Sequence, residues 1–194
     1  SIIYFVVFSS LNNLKYFFRP ADANEVAEAY RSSLRKPKQP AVMVLSRQNL
    51  PTLDRTNLGP ANGVGKGGYI LKEARGGEAE CILIGTGSEI PLCLDAADIL
   101  DSDGIRTRVV SLPCWELFAE QDDEYREHVL PSNIPSRVAC EAASGFGWER
   151  WLGQKGTFIG MNGFGASGPA KKLFEHFGIT AEAVVAAART LVGK

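Results

Sequence analysis

Residues 80–100 read ECILIGTGSEIPLCLDAADIL, and this stretch decides the fold. Cys81, Ile82, Leu83 and Ile84 form a short unbroken apolar run, the pattern of a strand covered on both faces, as in a parallel sheet between helices. Gly85 and Gly87 allow a tight turn. Ser88 is placed to cap a helix, and Pro91 falls in the first turn, where its missing N–H costs little. Ile90, Cys93, Leu94, Ala97 and Leu100 then recur at helical spacing, while Asp95, Asp98 and Asp101 lie on the outward face. The unit is strand, turn and helix.

The turn has two readings. A Gly-x-Gly-Ser segment opening a helix offers backbone donors to an anion. It lacks the third glycine of a dinucleotide fingerprint and the lysine of a P-loop, which favours a turn that serves only the fold.

Working outward, strands alternate with helices from about Gly68 to the end: an edge strand at Tyr69 to Leu71, a strand at Thr107 to Leu112, another at Arg137 to Glu141 and a short one near Thr157 to Met161. Closing helices are predicted over 169–177 and 180–192, separated by Gly178, with Thr180 as a cap. The pattern predicts an α/β fold, a three-layer α/β/α sandwich with a mostly parallel sheet. A partial α/β segment precedes it. There, Lys15 to Phe18 is a predicted strand, and Asp22 and Glu25 stand at capping-box spacing before a helix whose packing face is Val26, Ala29, Tyr30 and Ser33. Ala41 to Leu45 is the next strand. Pro51, Gly59, Pro60, Gly63, Gly65 and Gly67 break any periodicity over 52–67, which reads as a linker. The expected division is 1–51, an incomplete domain end; 52–67, the linker; and 68–194, a complete domain.

Composition narrows the function. The 21 Lys and Arg against 22 Asp and Glu mark no nucleic-acid or acidic-membrane surface, and the basic cluster Arg31, Arg35, Lys36 and Lys38 sits where a helix ends and complements its dipole. Ile2 to Phe8 is too short to span a bilayer and lacks the flanks of a secretory signal, so neither nucleic acid nor membrane is an expected partner. The start at Ser1 rather than Met hints at an upstream portion. Cys81, Cys93, Cys114 and Cys140 form no C-x-x-C pair, so free thiols in a reducing cytoplasm are expected rather than a zinc or redox site.

Arg47 is the leading site candidate. It follows a buried-type strand within Ser46-Arg47-Gln48-Asn49, at the carboxyl end where open α/β sheets place ligands, and its planar fork suits a phosphate. The competing reading is an ordinary surface arginine. Glu141, at a strand end, reads as a structural anchor with an acid–base role as the alternative. His128 and His176 read as surface residues without metal or triad partners, and Trp115, Trp148 and Trp151 as packing wedges.

The succession RPADANE (19–25), SRQNLP (46–51), GGYIL (67–71), GTGSE (85–89), VVSLP (109–113), EAASGFGWE (141–149) and FGASG (164–168) resembles the transketolase family in order and spacing. The resemblance covers Arg19 to the C-terminus, corresponding to the end of the family's pyrimidine-binding domain and all of its C-terminal domain. It implies an enzyme that uses thiamine diphosphate and a divalent cation, magnesium or calcium, to transfer a two-carbon ketol unit between sugar phosphates in the pentose phosphate pathway. It implies that Arg47 grips the substrate phosphate, and that upstream transketolase domains and a homodimer partner complete the parent enzyme. The family's diphosphate-and-metal motif does not occur in this chain, which is therefore expected to be inactive and free of cofactor on its own. Two other functions stand against this: a non-catalytic module that binds an anion at Gly85 to Ser88 or another protein, and the C-terminal region of a different thiamine-dependent enzyme, such as a dihydroxyacetone synthase or a dehydrogenase subunit.

Overall fold

The computed structural model describes residues 14–194, so the apolar run Ile2 to Phe8 lies outside the described residues. Two parallel strands, β1 (Tyr16–Phe18) and β2 (Ala41–Met43), are joined by helix α1 (Ala23–Leu34) into one strand–helix–strand unit. A second sheet contains β3 (Tyr69–Lys72), β4 (Cys81–Gly85), β5 (Thr107–Ser111), β6 (Arg137–Ser144) and β7 (Thr157–Met161), in the order β3-β5-β4-β6-β7. Only the edge strand β3 runs antiparallel to its neighbour. The predicted mostly parallel sheet is therefore present.

The apolar run is the middle strand, and all five residues of β4 are buried. Alternate side chains of a strand point to opposite faces, and here each face has its own core. Cys81 and Leu83 pack with residues of α2 (Ile90–Ser102) and α7 (Ala181–Val192). Ile82 and Ile84 pack instead with Phe118 of α3 (Trp115–Ala119), Val129 of α4 (Asp123–Val129) and Trp151 of α5 (Glu149–Leu152). The result is three layers, with α6 (Ala170–His176) placed just before α7. Gly85 has a packing reason: a Cβ there would lie 2.9 Å from Ile90 Cδ1 and 3.0 Å from Cys93 Sγ, so its absence lets α2 settle close on the sheet.

Several local expectations shift. Ser88 is not the cap of α2: it lies in a short 3-10 turn, Gly87–Glu89, and its hydroxyl donates to the Glu89 carboxylate. Tyr30 is 52 % exposed rather than part of the α1 packing face, because the buried positions of that helix are Glu25 and Ala29. β6 runs three residues past Glu141, to Ser144. All four cysteines are buried and free, and burial pushes the Cys81 thiol up to about 12.

The stretch read as a linker is ordered. It carries a 3-10 helix, Ala61–Lys66, whose Val64 is fully buried, and the Gly59 N–H donates to the Leu71 carbonyl at 2.7 Å. Gly67 closes it at φ 84°, where a Cβ would lie 2.2 Å from the Phe118 nitrogen and 2.3 Å from the Cys114 oxygen.

Two buried polar contacts tie the β1–α1–β2 unit to the second sheet. The Arg19 guanidinium reaches Glu89 at 3.0 Å and also Glu141, whose other oxygen accepts the Trp148 Nε1–H at 2.7 Å. Burial disfavours the Arg19 charge, but Glu141 and Glu89 outweigh it and hold the group ionised. The second contact is made by Glu25. Its carboxylate accepts from Ser111 at 2.6 Å, Tyr69 at 2.7 Å and the Ala21 N–H at 2.8 Å, so the residue expected to reach back at the start of α1 does so, one residue before the cap, and also enters the β3–β5 interior. Burial raises the Glu25 carboxyl against the pull of these donors.

Three outcomes are expected in urea unfolding. Gly67→Ala costs about 2–4 kcal/mol through strain and collision, whereas Gly163→Ala, with open space around it, is near neutral. Arg19→Met strands two buried carboxylates and costs about 3–5 kcal/mol. Because folding raises Glu25, its contribution is complete below the ordinary value of 4.5 and is lost as pH rises through the folded value. The wild type therefore loses stability relative to Glu25→Gln on going upward from pH 4.5, and a parallel pair of curves would remove Glu25 as the titrating group.

Candidate functional site

The loop that carries Arg47 leaves the carboxyl end of β2 and is held at both ends. At its start the Val44 N–H donates to the Phe18 carbonyl at 2.9 Å, and at its end the Leu53 N–H donates to Asp22 Oδ2 at 3.0 Å. Ser46 Oγ turns inward on the loop, donating to the Gln48 carbonyl at 2.9 Å. Arg47 itself is exposed, and among the described residues it forms no ion pair. An ordinary, solvated surface arginine has the same surroundings.

Two backbone donors of the glycine turn, those of Gly87 and Glu89, are engaged within the fold. Gly87 takes φ 59°, and its N–H donates to the Arg19 carbonyl at 2.9 Å, while Thr86 Oγ1 donates to the same oxygen at 3.3 Å. The Arg19 side chain packs across Gly87, 3.4 Å from where a Cβ would stand. The turn therefore receives the preceding chain, which is a structural task. Burial raises the Glu89 carboxyl beside it, which is occupied by Arg19.

The turn and the Arg47 loop share one groove of about 450 Å³, in which Gln48, Leu50 and Pro51 face Ser88, Pro91 and Leu92. Its far wall brings Asp95, Glu175 and Glu182 against a single Lys171. Burial, then Asp98 and Glu182, raise the Asp95 carboxyl. Three acids against one lysine in a largely apolar lining do not suit an anion.

A smaller cavity of about 110 Å³ lies at the carboxyl ends of β4, β5 and β6, where the strand order reverses and open α/β sheets usually bind ligands. Here the crevice receives Arg19, with Thr86, Glu141, Trp115 and Phe146 around it. Glu141 is thus an anchor for Arg19 and Trp148, as its position at a strand end suggested. Trp148 and Trp151 are buried, and Trp115 meets both edge-on at 4.9 and 6.4 Å, so the tryptophans form a packed cluster. His128 and His176 are exposed.

Sequence reasoning named Arg47 and Glu141 but missed Arg19 and Glu89 as partners. The signal available was Arg19-Pro20, an arginine directly before a chain break and helix cap, with no indication of where its side chain goes. Among the described residues, no group of three or more His, Cys, Asp or Glu could hold a metal ion.

The chain matches the family described as "Transketolase-like TK C-terminal domain" over residues 67–180. It is 53 % identical over 176 residues to Transketolase 7 of Craterostigma plantagineum, covering 89 % of this chain and 26 % of that protein. It is also 53 % identical over 174 residues to the chloroplastic Transketolase-1 of Arabidopsis thaliana, covering 89 % of this chain and 23 % of that protein. The transketolase of Pichia stipitis solved with sedoheptulose-7-phosphate superposes with a TM-score of 0.86 at 36 % identity, covering all of this chain and 27 % of that one. The chain thus spans about a quarter of the length of the relatives it matches. With the sheet order, the two-sided core and these matches in agreement, the chain belongs to the transketolase-like C-terminal domain family.

Proposed function

We propose that this chain works as the C-terminal portion of a transketolase, a transferase that moves a two-carbon ketol unit between sugar phosphates, and that Arg47 is its contribution to the substrate site. The observation that carries the reading is the exposed guanidinium, without an ion pair among the described residues, on a loop pinned at both ends beyond a strand's carboxyl terminus. A planar fork can hold a phosphate through two charge-assisted bonds, far from the reacting carbons, and so orient the sugar. The solved Pichia stipitis relative was crystallised with a sugar phosphate, which supports the substrate class. In this reading the division is 1–51 as the end of a pyrimidine-binding domain, 52–67 as an ordered connection and 68–194 as the C-terminal domain.

Transketolases draw their electron sink from thiamine diphosphate held with magnesium or calcium. The residues of this chain do not fit that group: the buried carboxylates Asp22, Glu25, Glu89 and Glu141 already serve backbone, hydroxyl, indole or arginine donors, and no metal-ligand cluster occurs among the described residues. We assign the cofactor site to upstream domains and to the partner of a homodimer, and derive no step through it. The alternative of an anion-binding module at Gly85 to Ser88 has less support, because Gly87 already donates to Arg19 and the adjoining groove carries three acids against one lysine. A different thiamine-dependent enzyme whose substrates carry no phosphate would share the fold but leave Arg47 nothing to hold.

No helix among the described residues is long and apolar enough to cross a membrane. Four buried free thiols suit a reducing compartment, for which we keep the cytoplasm. The chloroplastic name of the Arabidopsis relative favours the plastid as the second choice.

Two measurements check this reading. Calorimetric titration of the 194-residue chain with thiamine diphosphate and magnesium is expected to give no saturable heat, and micromolar binding would relocate the cofactor site to this chain. In an enzyme reassembled with upstream domains, Arg47→Gln is expected to raise KM for a phosphorylated acceptor about 10–100-fold with a smaller change in kcat, and to leave an unphosphorylated acceptor unaffected. Equal losses on both acceptors would detach Arg47 from the phosphate.

A further inference from the structure

Residues 45–52, with Arg47 among them, lie between two anchors of different kinds. The upstream one is the strand pairing itself, continued by the Val44 to Phe18 bond. The downstream one is a single buried side chain, Asp22. Its Oδ1 caps α1 by accepting the Glu25 N–H at 2.8 Å and also meets Arg55 Nη2 at 3.1 Å. Its Oδ2 faces the loop, accepting the Leu53 N–H at 3.0 Å and Asn24 Nδ2 at 3.3 Å. Asn24 in turn reaches the Leu53 carbonyl at 3.5 Å, and Arg55 continues to the Gly59 carbonyl at 2.9 Å and the Tyr69 hydroxyl at 2.7 Å. One carboxylate therefore has one oxygen committed to the helix start and the other to the end of the Arg47 loop.

We propose that Asp22 is a positioning residue for Arg47: by fixing the downstream end of the loop it presets the guanidinium for a phosphate before any ligand arrives. Ordering a loop in advance removes an entropy cost from binding, so the effect is one of affinity rather than of contact. The inference rests on the reading of Arg47 as a phosphate ligand given above.

The two oxygens make the idea separable from a structural role. In Asp22→Asn the retained oxygen still caps α1, since Asn caps as well as Asp, but the amide nitrogen now presents a donor to the Leu53 N–H. The test uses the 194-residue chain, with ribose 5-phosphate titrated against the Arg47 Nε–H resonance, free ribose as a control, and amide exchange followed over 44–53 and the first turn of α1. Expected for Asp22→Asn are exchange of the Leu53 amide at the loop's end about tenfold faster, unchanged protection of the Glu25 amide, and a dissociation constant raised about fivefold. Asp122→Ala, which removes the cap of α4 on the other face of the larger sheet, is expected to keep the wild-type constant, so that lost stability alone is separated from lost positioning. Faster Leu53 exchange with an unchanged constant overturns the proposal, as does unchanged Leu53 exchange. If Arg47→Gln binds ribose 5-phosphate as the wild type does, the Arg47 reading fails and takes this inference with it; if Arg47→Gln weakens binding and Asp22→Asn does not, only the inference fails.

Discussion

The Arg19 guanidinium, held between Glu89 and Glu141, is the constraint on which the arrangement of the molecule depends. Its backbone serves the same junction: the Arg19 N–H donates to the Pro113 carbonyl at 2.8 Å, and its carbonyl accepts from Gly87. One residue thus meets the ends of β4, β5 and β6. A buried ion cluster of this kind adds little net stability over an apolar plug, because removing charges from water is costly. What it adds is selectivity, since a displaced arginine would leave two carboxylates in a dry site.

That occupancy bears on the function. A doubly wound sheet offers its crevice at the point where strand order reverses, and here the chain fills that crevice with its own side chain. The nucleotide-binding appearance of the β4 turn therefore carries no ligand chemistry with it. Arg47 lies elsewhere, on the loop after β2, so on the proposed reading phosphate binding and domain support are divided between the two sheets. Asp22 and Glu25, three residues apart at the start of α1, face the two tasks separately, one toward the Arg47 loop and the other into the β3–β5 interior.

Much of this was legible from sequence for identifiable reasons. The 81–84 run could only be a two-faced strand, and the alternation of Ile82 and Ile84 with Cys81 and Leu83 across two cores follows from strand geometry. Asp22 and Thr180 cap their helices as their spacing implied. The failures are tertiary. Ser88 lost its capping role because Glu89 turned inward to Arg19, and the glycine-rich stretch over 52–67 looked flexible because its order comes from contacts with α1 and β3, distant in sequence. Glu25 had the right spacing for a capping box, but no local pattern discloses that Ser111 and Tyr69 wait 86 and 44 residues away.

The small sheet has a further property. The outward side of β1 is stopped by a side chain, since the Phe17 N–H donates to Glu116 Oε2 at 3.2 Å. On β2 the described residues pair only with β1, and the strand leads into the exposed Val44 and Leu45. An unpaired edge continued by apolar residues is a template for another strand. Beside the edges β3 and β7 of the larger sheet, β2 is then an edge at which self-association through backbone pairing can begin, and a charged residue at Val44 or Leu45 is a change that opposes it.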